Sequence, residues 1–118
     1  MKMYILMLDS VPDNFCPVMA AHSSLKCYDR YRADRDMTIW FNTSFKKVVC
    51  RVSREEFDKA KESCDKSVIT TESNLDFMEC SITFCPRPKE EYPESFRYFP
   101  LWKPREPKFI DRRLVKSV

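Results

Sequence analysis

The chain has 118 residues, a net charge of +3 and no glycine. This length suits one domain with a single hydrophobic core and is too short for two ordinary domains. Apolar residues make up 43% and charged residues 33%, which is typical of a globular protein rather than a disordered one. Glycine-rich phosphate loops of the P-loop and Rossmann types are excluded, because they need residues that tolerate positive φ.

The first half of the chain predicts a strand followed by a helix. Residues 3–8 form an uninterrupted apolar run, which indicates a buried central strand. Pro17 suits the first turn of a helix, which we expect to end near Tyr31. The apolar stripe of this helix, predicted to face the core, consists of Val18, Ala21, Leu25 and Tyr28. Residues 37–41 predict either a helical turn or a short strand.

The second half predicts three more strands and one helix. Residues 46–52 are rich in valine and alternate in character, as a strand does. Ser53 and Glu56 have the spacing of a capping box, which opens a helix. That helix would bury Phe57, Ala60 and Cys64. Residues 67–71 and 78–84 predict the last two strands, so the chain is expected to form an α/β fold with a small mixed four-stranded sheet flanked by helices.

The composition changes after Cys85, where six of the eight prolines occur. So many prolines prevent long regular elements, but the aromatic residues among them are unusual for a disordered tail. We therefore divide the chain into a core, residues 1–85, and an extended Pro/aromatic-rich arm, residues 86–118. The arm is predicted to pack on the core or on a partner, including a second copy in a homodimer. Its last basic residues, predicted to be solvated, are Arg112, Arg113 and Lys116.

Six cysteines and one histidine do not match a common zinc site, since no C-x-x-C pair occurs. The apolar start is interrupted by Asp9 and Pro12, unlike a signal peptide, and no stretch is long enough to span a membrane. These features predict a cytoplasmic protein with no membrane contact and with reduced cysteines. Most of the cysteines are expected to be small core residues.

Several short motifs follow one another in a recognisable order. They are Tyr-Ile-Leu at residues 4–6, Met-Ala-Ala-His at 19–22, Trp40, Lys-Val-Val at 47–49, Pro-Arg-Pro-Lys-Glu-Glu at 86–91 and Phe-Arg-Tyr-Phe at 96–99. This order resembles the type-2 peptidyl-tRNA hydrolases, and in particular the divergent branch called peptidyl-tRNA hydrolase domain-containing proteins. The resemblance extends from about Lys2 to Lys103 and implies the type-2 peptidyl-tRNA hydrolase fold.

The resemblance also implies a function, which is cleavage of the ester between a peptide and tRNA without a metal or an organic cofactor. In that interpretation His22 assists catalysis, and Asp9 and Lys47 position the RNA end or a water molecule. Two positions of the family helix differ here, with Phe15 for lysine and Met19 for glutamine. The family segment Asp-Ala-Gly-x-Thr has no counterpart in residues 72–77.

The alternative function is non-catalytic binding of RNA or a small nucleotide on the same scaffold. The candidate ligand-binding residues are Phe15, Met19, Ser23, Trp40 and Lys47. Structural interpretations stay open for each candidate: His22 can pack the helix, Asp9 can cap a loop, and Ser23 can bond back to its helix. Likewise, Trp40 can be a core residue or a stacking platform, and Lys47 can protect a sheet edge.

Overall fold

A four-stranded mixed sheet forms the centre of the computed structural model, which describes residues 1–105. The strands are β1 (Lys2–Leu8), β2 (Lys46–Val52), β3 (Ser67–Glu72) and β4 (Met78–Phe84), in the spatial order β2-β1-β4-β3. β1 is parallel to β2, and β4 is antiparallel to both β1 and β3. The predicted α/β fold with a mixed four-stranded sheet is confirmed.

Three helices cover the sheet: α1 (Cys16–Tyr31), α2 (Arg35–Asn42) and α3 (Arg54–Ser63). Met3 and Ile5 of β1 share a buried cluster with residues of α1 and α2. The β2–α3–β3 connection crosses the sheet in the opposite direction to the β1–β2 connection, so right-handed crossovers place α3 on the other face. Residues 37–41, left open between two interpretations, are helical.

The predicted capping box at the start of α3 is confirmed. The Glu56 backbone N–H donates to Ser53 Oγ at 3.1 Å, and the Ser53 N–H donates to Glu56 Oε1 at 2.8 Å. This exchange satisfies two backbone donors that the first turn would otherwise leave unpaired. The three side chains predicted to face inward are buried, and they are Phe57, Ala60 and Cys64.

The predicted buried stripe of α1 is wrong for three of its four residues, whereas Tyr28 is half-buried against the core. Val18 and Leu25 are exposed, Leu25 to 69%, and Ala21 is exposed as well. The face that packs on the sheet carries Cys16, Met19, Ser23 and Cys27. These residues also have helical spacing, and their small or flexible side chains let the helix approach the strands closely.

Residues 86–105 of the arm lie against the core. Tyr92 and Phe96 are buried in the same cluster as the residues of β1, β2 and β4. Further along, the Arg51 N–H donates to the Pro100 carbonyl at 2.9 Å and the Trp102 N–H donates to the Val49 carbonyl at 2.8 Å. This part of the arm therefore pairs antiparallel with the outer edge of β2. The predictions for Arg112, Arg113 and Lys116 fall outside the described residues.

All six cysteines are buried, as expected of small core residues. Burial raises the pKa of Cys27 and Cys85 to about 12 and that of Cys50 to about 11. These thiols are therefore protonated at neutral pH and poor nucleophiles. In residues 1–105 no helix is both long enough and apolar enough to cross a membrane.

Candidate functional site

The two predicted catalytic residues are both exposed, and neither side chain has a polar partner among residues 1–105. His22 is on the exposed side of α1, and its imidazole makes no hydrogen bond with any of residues 1–105. Asp9 is exposed directly after β1, and its carboxylate forms no ion pair with another described residue. A general base is normally oriented by a second group, and the described part of the chain supplies none to His22.

Three of the candidate ligand-binding residues pack inside the protein. Phe15 is half-buried against the core, and Met19 and Ser23 are 0% exposed. Ser23 Oγ donates to the Met19 carbonyl at 2.6 Å and lies 2.5 Å from Ser81 Oγ of β4. Met19 and Ser23 therefore form the interface between α1 and the sheet and offer no surface to a ligand.

Trp40 and Lys47, the other two candidates, lie close together. Lys47 Nζ is 5.2 Å from the centroid of the Trp40 ring and 3.3 Å from that of the Phe45 ring. Trp40 is buried, and its indole N–H donates to the Lys46 carbonyl at 2.7 Å. Trp40 is thus a core residue whose ring supports the neighbouring surface, and Lys47 lies on that surface.

This surface, which we call the aromatic–lysine surface, comprises Leu25, Tyr28, Trp40, Phe41, Phe45 and Lys47. Together with Ser24 these residues line a shallow cleft of about 320 Å³. Phe41 is 44% and Phe45 49% exposed, and their ring centroids are 5.5 Å apart with the rings nearly perpendicular. The Tyr28 ring extends the surface, at 4.8 Å from Phe41. The rings thus present a continuous apolar area beside one ammonium group.

The backbone after α2 sets the position of Phe45. The Phe45 N–H donates to the Trp40 carbonyl at 2.8 Å, and this bond closes the end of the helix. Phe45 has φ 53°, in the left-handed region that glycine tolerates best. A side chain there costs roughly 1–2 kcal/mol. In return, the turn places the Phe45 ring 5.0 Å from the Trp40 ring.

The electrostatic character of the surface comes from Lys47. Lys47 is paired with Met3 across β1 and β2, so it faces the side of the sheet that carries α1 and α2. Partial burial lowers the pKa of its ammonium from the ordinary lysine value. Its Nζ donates to the Phe45 carbonyl at 2.8 Å, and no carboxylate among residues 1–105 forms an ion pair with it. The positive charge is therefore available to an anionic group of a ligand.

The sequence predicted Trp40 and Lys47 as ligand-binding residues but did not single out Phe45. The sequence carried no local signal for Phe45, because it lies beyond the end of α2 in a turn with positive φ. Within the described residues, no group of three or more His, Cys, Asp or Glu side chains is arranged to hold a metal ion.

Comparison with known proteins adds no family assignment. No protein-family model matches this chain, and no curated protein sequence matches it.

Proposed function

We propose that this protein binds single-stranded RNA or a nucleotide without catalysis, and that a base stacks on the aromatic–lysine surface. The observation that carries the proposal is the continuous exposed area of Phe41 and Phe45 beside the unpaired ammonium of Lys47. Aromatic side chains interleaved with cations suit single-stranded nucleic acid, because every base has a face that stacks and every linkage carries a negative charge.

The non-catalytic form of the proposal has separate support. The lysine and glutamine positions of the resembled family are Phe15 and Met19, and both side chains here pack with the core. His22 lacks an orienting partner among residues 1–105. The thiols are held protonated by burial, so they do not offer a nucleophile instead.

The test is a titration of fluorescein-labelled oligouridine, followed by anisotropy, with calorimetry on adenosine monophosphate. Replacing Phe41 or Phe45 with alanine is expected to weaken binding about 5- to 150-fold, since one stacked base contributes roughly 1–3 kcal/mol. The matched control is Phe77→Ala. Phe77 is 70% exposed and, like Phe45, left-handed (φ 57°), but it lies at the opposite end of the sheet, between β3 and β4.

Equal affinities of wild type, Phe45→Ala and Phe77→Ala would contradict the proposed site. Flat titrations with both ligands would contradict the proposed function.

Hydrolysis of the peptide–tRNA ester, the function that the resemblance implies, is a separate prediction. It requires that purified protein releases peptide from a labelled peptidyl-tRNA and that His22→Ala and Asp9→Ala slow the release. Both side chains are exposed, so these variants should fold normally. Turnover that depends on His22 would replace the binding proposal with an enzymatic one. No turnover, alongside an active control hydrolase, would contradict the hydrolase prediction.

A further inference from the structure

A second cleft lies on the other face of the sheet, beside the start of β1. It has a volume of about 350 Å³ and is lined by Met1, Lys2, Tyr4, Lys89, Tyr92, Pro93 and Arg97. We call it the basic cleft. Lys2 and Tyr4 come from β1, and the other side chains come from the arm, so the cleft exists because the arm folds back over the sheet.

Three cations line the basic cleft, and no acidic side chain does. Lys2, Lys89 and Arg97 are all exposed, and none forms an ion pair with a carboxylate in residues 1–105. The nearby Arg87 differs, because Asp65 Oδ1 binds its guanidinium at 2.8 Å. Three acidic residues of the arm are close to these cations in the sequence but do not line the cleft: Glu90, Glu91 and Glu94. Three positive charges without an ion pair in a concave site attract an anion.

The walls of the cleft are fixed by aromatic packing. The Tyr92 hydroxyl donates to the Lys2 carbonyl at 2.8 Å, which ties the arm to β1. The Tyr4 and Tyr92 rings meet edge to face with centroids 4.7 Å apart. The Tyr4 hydroxyl makes no hydrogen bond within the described chain, so it is a spare donor on a rigid wall. Cations and a free hydroxyl around one concave site suit a phosphate group.

The basic cleft and the aromatic–lysine surface flank the same end of the sheet. Lys2 pairs with Lys46 where β1 and β2 begin, and Ser44 Oγ donates to the Met1 carbonyl at 2.6 Å. Lys46 and Lys47 are consecutive strand residues, so their side chains point to opposite faces of the sheet. Lysine side chains therefore lie on both faces of this end of the sheet, between the basic cleft and the aromatic–lysine surface.

We propose that the basic cleft binds a phosphate group of the same RNA strand whose base stacks on the aromatic–lysine surface. This inference rests on the proposed function and extends it, because it defines the path of the strand around the start of β1 and β2. The cleft supplies charge neutralisation by Lys2, Lys89 and Arg97, while the aromatic–lysine surface supplies stacking.

The test compares Lys89→Ala/Arg97→Ala with the control Lys61→Ala/Arg35→Ala. Both double variants remove two exposed cations that have no ion pair with a described residue, but the control positions lie on α3 and α2 away from the cleft. Affinity for labelled oligouridine is measured at several salt concentrations. Removing two phosphate contacts is expected to reduce the slope of log K against log salt by about 1.4, since each contact contributes roughly 0.7 for single strands. The control should leave the slope unchanged.

A second measurement separates this inference from the proposed function. Pyrophosphate is titrated into isotope-labelled protein, and the amide signals of Lys2, Tyr4 and Arg97 are expected to shift. If oligouridine still binds through Phe45 and the two double variants have equal salt slopes, the basic cleft inference is wrong while the proposed function stands. If pyrophosphate shifts these signals but oligouridine does not bind, the cleft is a phosphate site and the RNA proposal is wrong.

Variants that keep or reverse the charges at Lys89 and Arg97 test whether the role of the cleft is electrostatic. Lys89→Arg/Arg97→Lys keeps both cations and should recover most of the salt slope, whereas Lys89→Glu/Arg97→Glu should weaken oligouridine binding further than the alanine variant does. Equal binding by these two variants would overturn an electrostatic role for the cleft.

Discussion

Replacing Phe96 with alanine is expected to lower the free energy of unfolding by about 3–5 kcal/mol. Phe96 is 1% exposed and is surrounded by four aromatic rings with centroids 5.1–5.5 Å away. These rings belong to Tyr4, Phe84, Tyr92 and Phe99. Alanine would leave a cavity where β1, β4 and the arm meet. Small domains have roughly 5–15 kcal/mol of stability, so this change removes a large part of it.

Urea unfolding followed by circular dichroism measures the effect. The matched control is Tyr98→Ala, two residues away in the same segment but 75% exposed, for which we expect a change within about 0.5 kcal/mol. Similar values for the two variants would mean that the arm is not part of the folding unit in solution. The predicted homodimer, in which the arm packs on a second copy, is tested separately by light scattering, because the dimer has twice the mass of the chain.

The second large effect concerns the buried pair Ser23 and Ser81. Ser23 Oγ donates its proton to the Met19 carbonyl, so Ser81 must donate to Ser23 across 2.5 Å. Ser23→Ala therefore leaves the Ser81 hydroxyl buried without an acceptor, at a cost of about 1–3 kcal/mol. Ser81→Ala should cost less, because Ser23 keeps its bond to Met19.

The double variant Ser23→Ala/Ser81→Ala completes a thermodynamic cycle. Removing both hydroxyls leaves no unsatisfied donor, so we expect the double variant to be less destabilised than the sum of the two single variants. Additive free energies of unfolding would show that the two hydroxyls do not interact. Unchanged stability in Ser23→Ala would show that the Ser23 hydroxyl does not hold α1 to the sheet.

The sheet and its order were predictable because the local signals agree with one another. Residues 46–52 and 78–84 coincide with β2 and β4, and the other two strands are one residue longer than predicted. Ser53 with Glu56 fixes the start of α3 because a capping box depends only on side chains three residues apart. Such short-range patterns are fully contained in the sequence.

The face of α1 was not predictable from hydrophobicity. The valine and leucine stripe is more apolar than the face that is buried, which contains Ser23. Burial of the Ser23 face depends on Ser81 of β4, fifty-eight residues later, because the two hydroxyls pair at the helix–sheet contact. A polar residue in a core is acceptable only when its partner is in place, and that partner is known only once the fold is known.

The candidate site was half predictable for a related reason. Trp40 and Lys47 stood out by residue type, but their proximity depends on the turn that Phe45 makes at φ 53°. Phenylalanine in that conformation is uncommon, so no local propensity predicts it. The catalytic interpretation gave His22 and Asp9 separate roles, and both side chains are exposed, with no hydrogen bond or ion pair between them.

The pairing of residues 100–102 with β2 also bears on self-association. An unpaired outer strand is a template for intermolecular β-pairing and aggregation, and here the arm caps the backbone groups of Val49 and Arg51. At the other border of the sheet, the pairing of β3 with β4 shifts register between Thr70 and Thr71, an irregularity of the kind that makes an edge a poor template. Proteolytic loss of the arm would therefore uncover β2, and the shortened chain would be prone to polymerise through it.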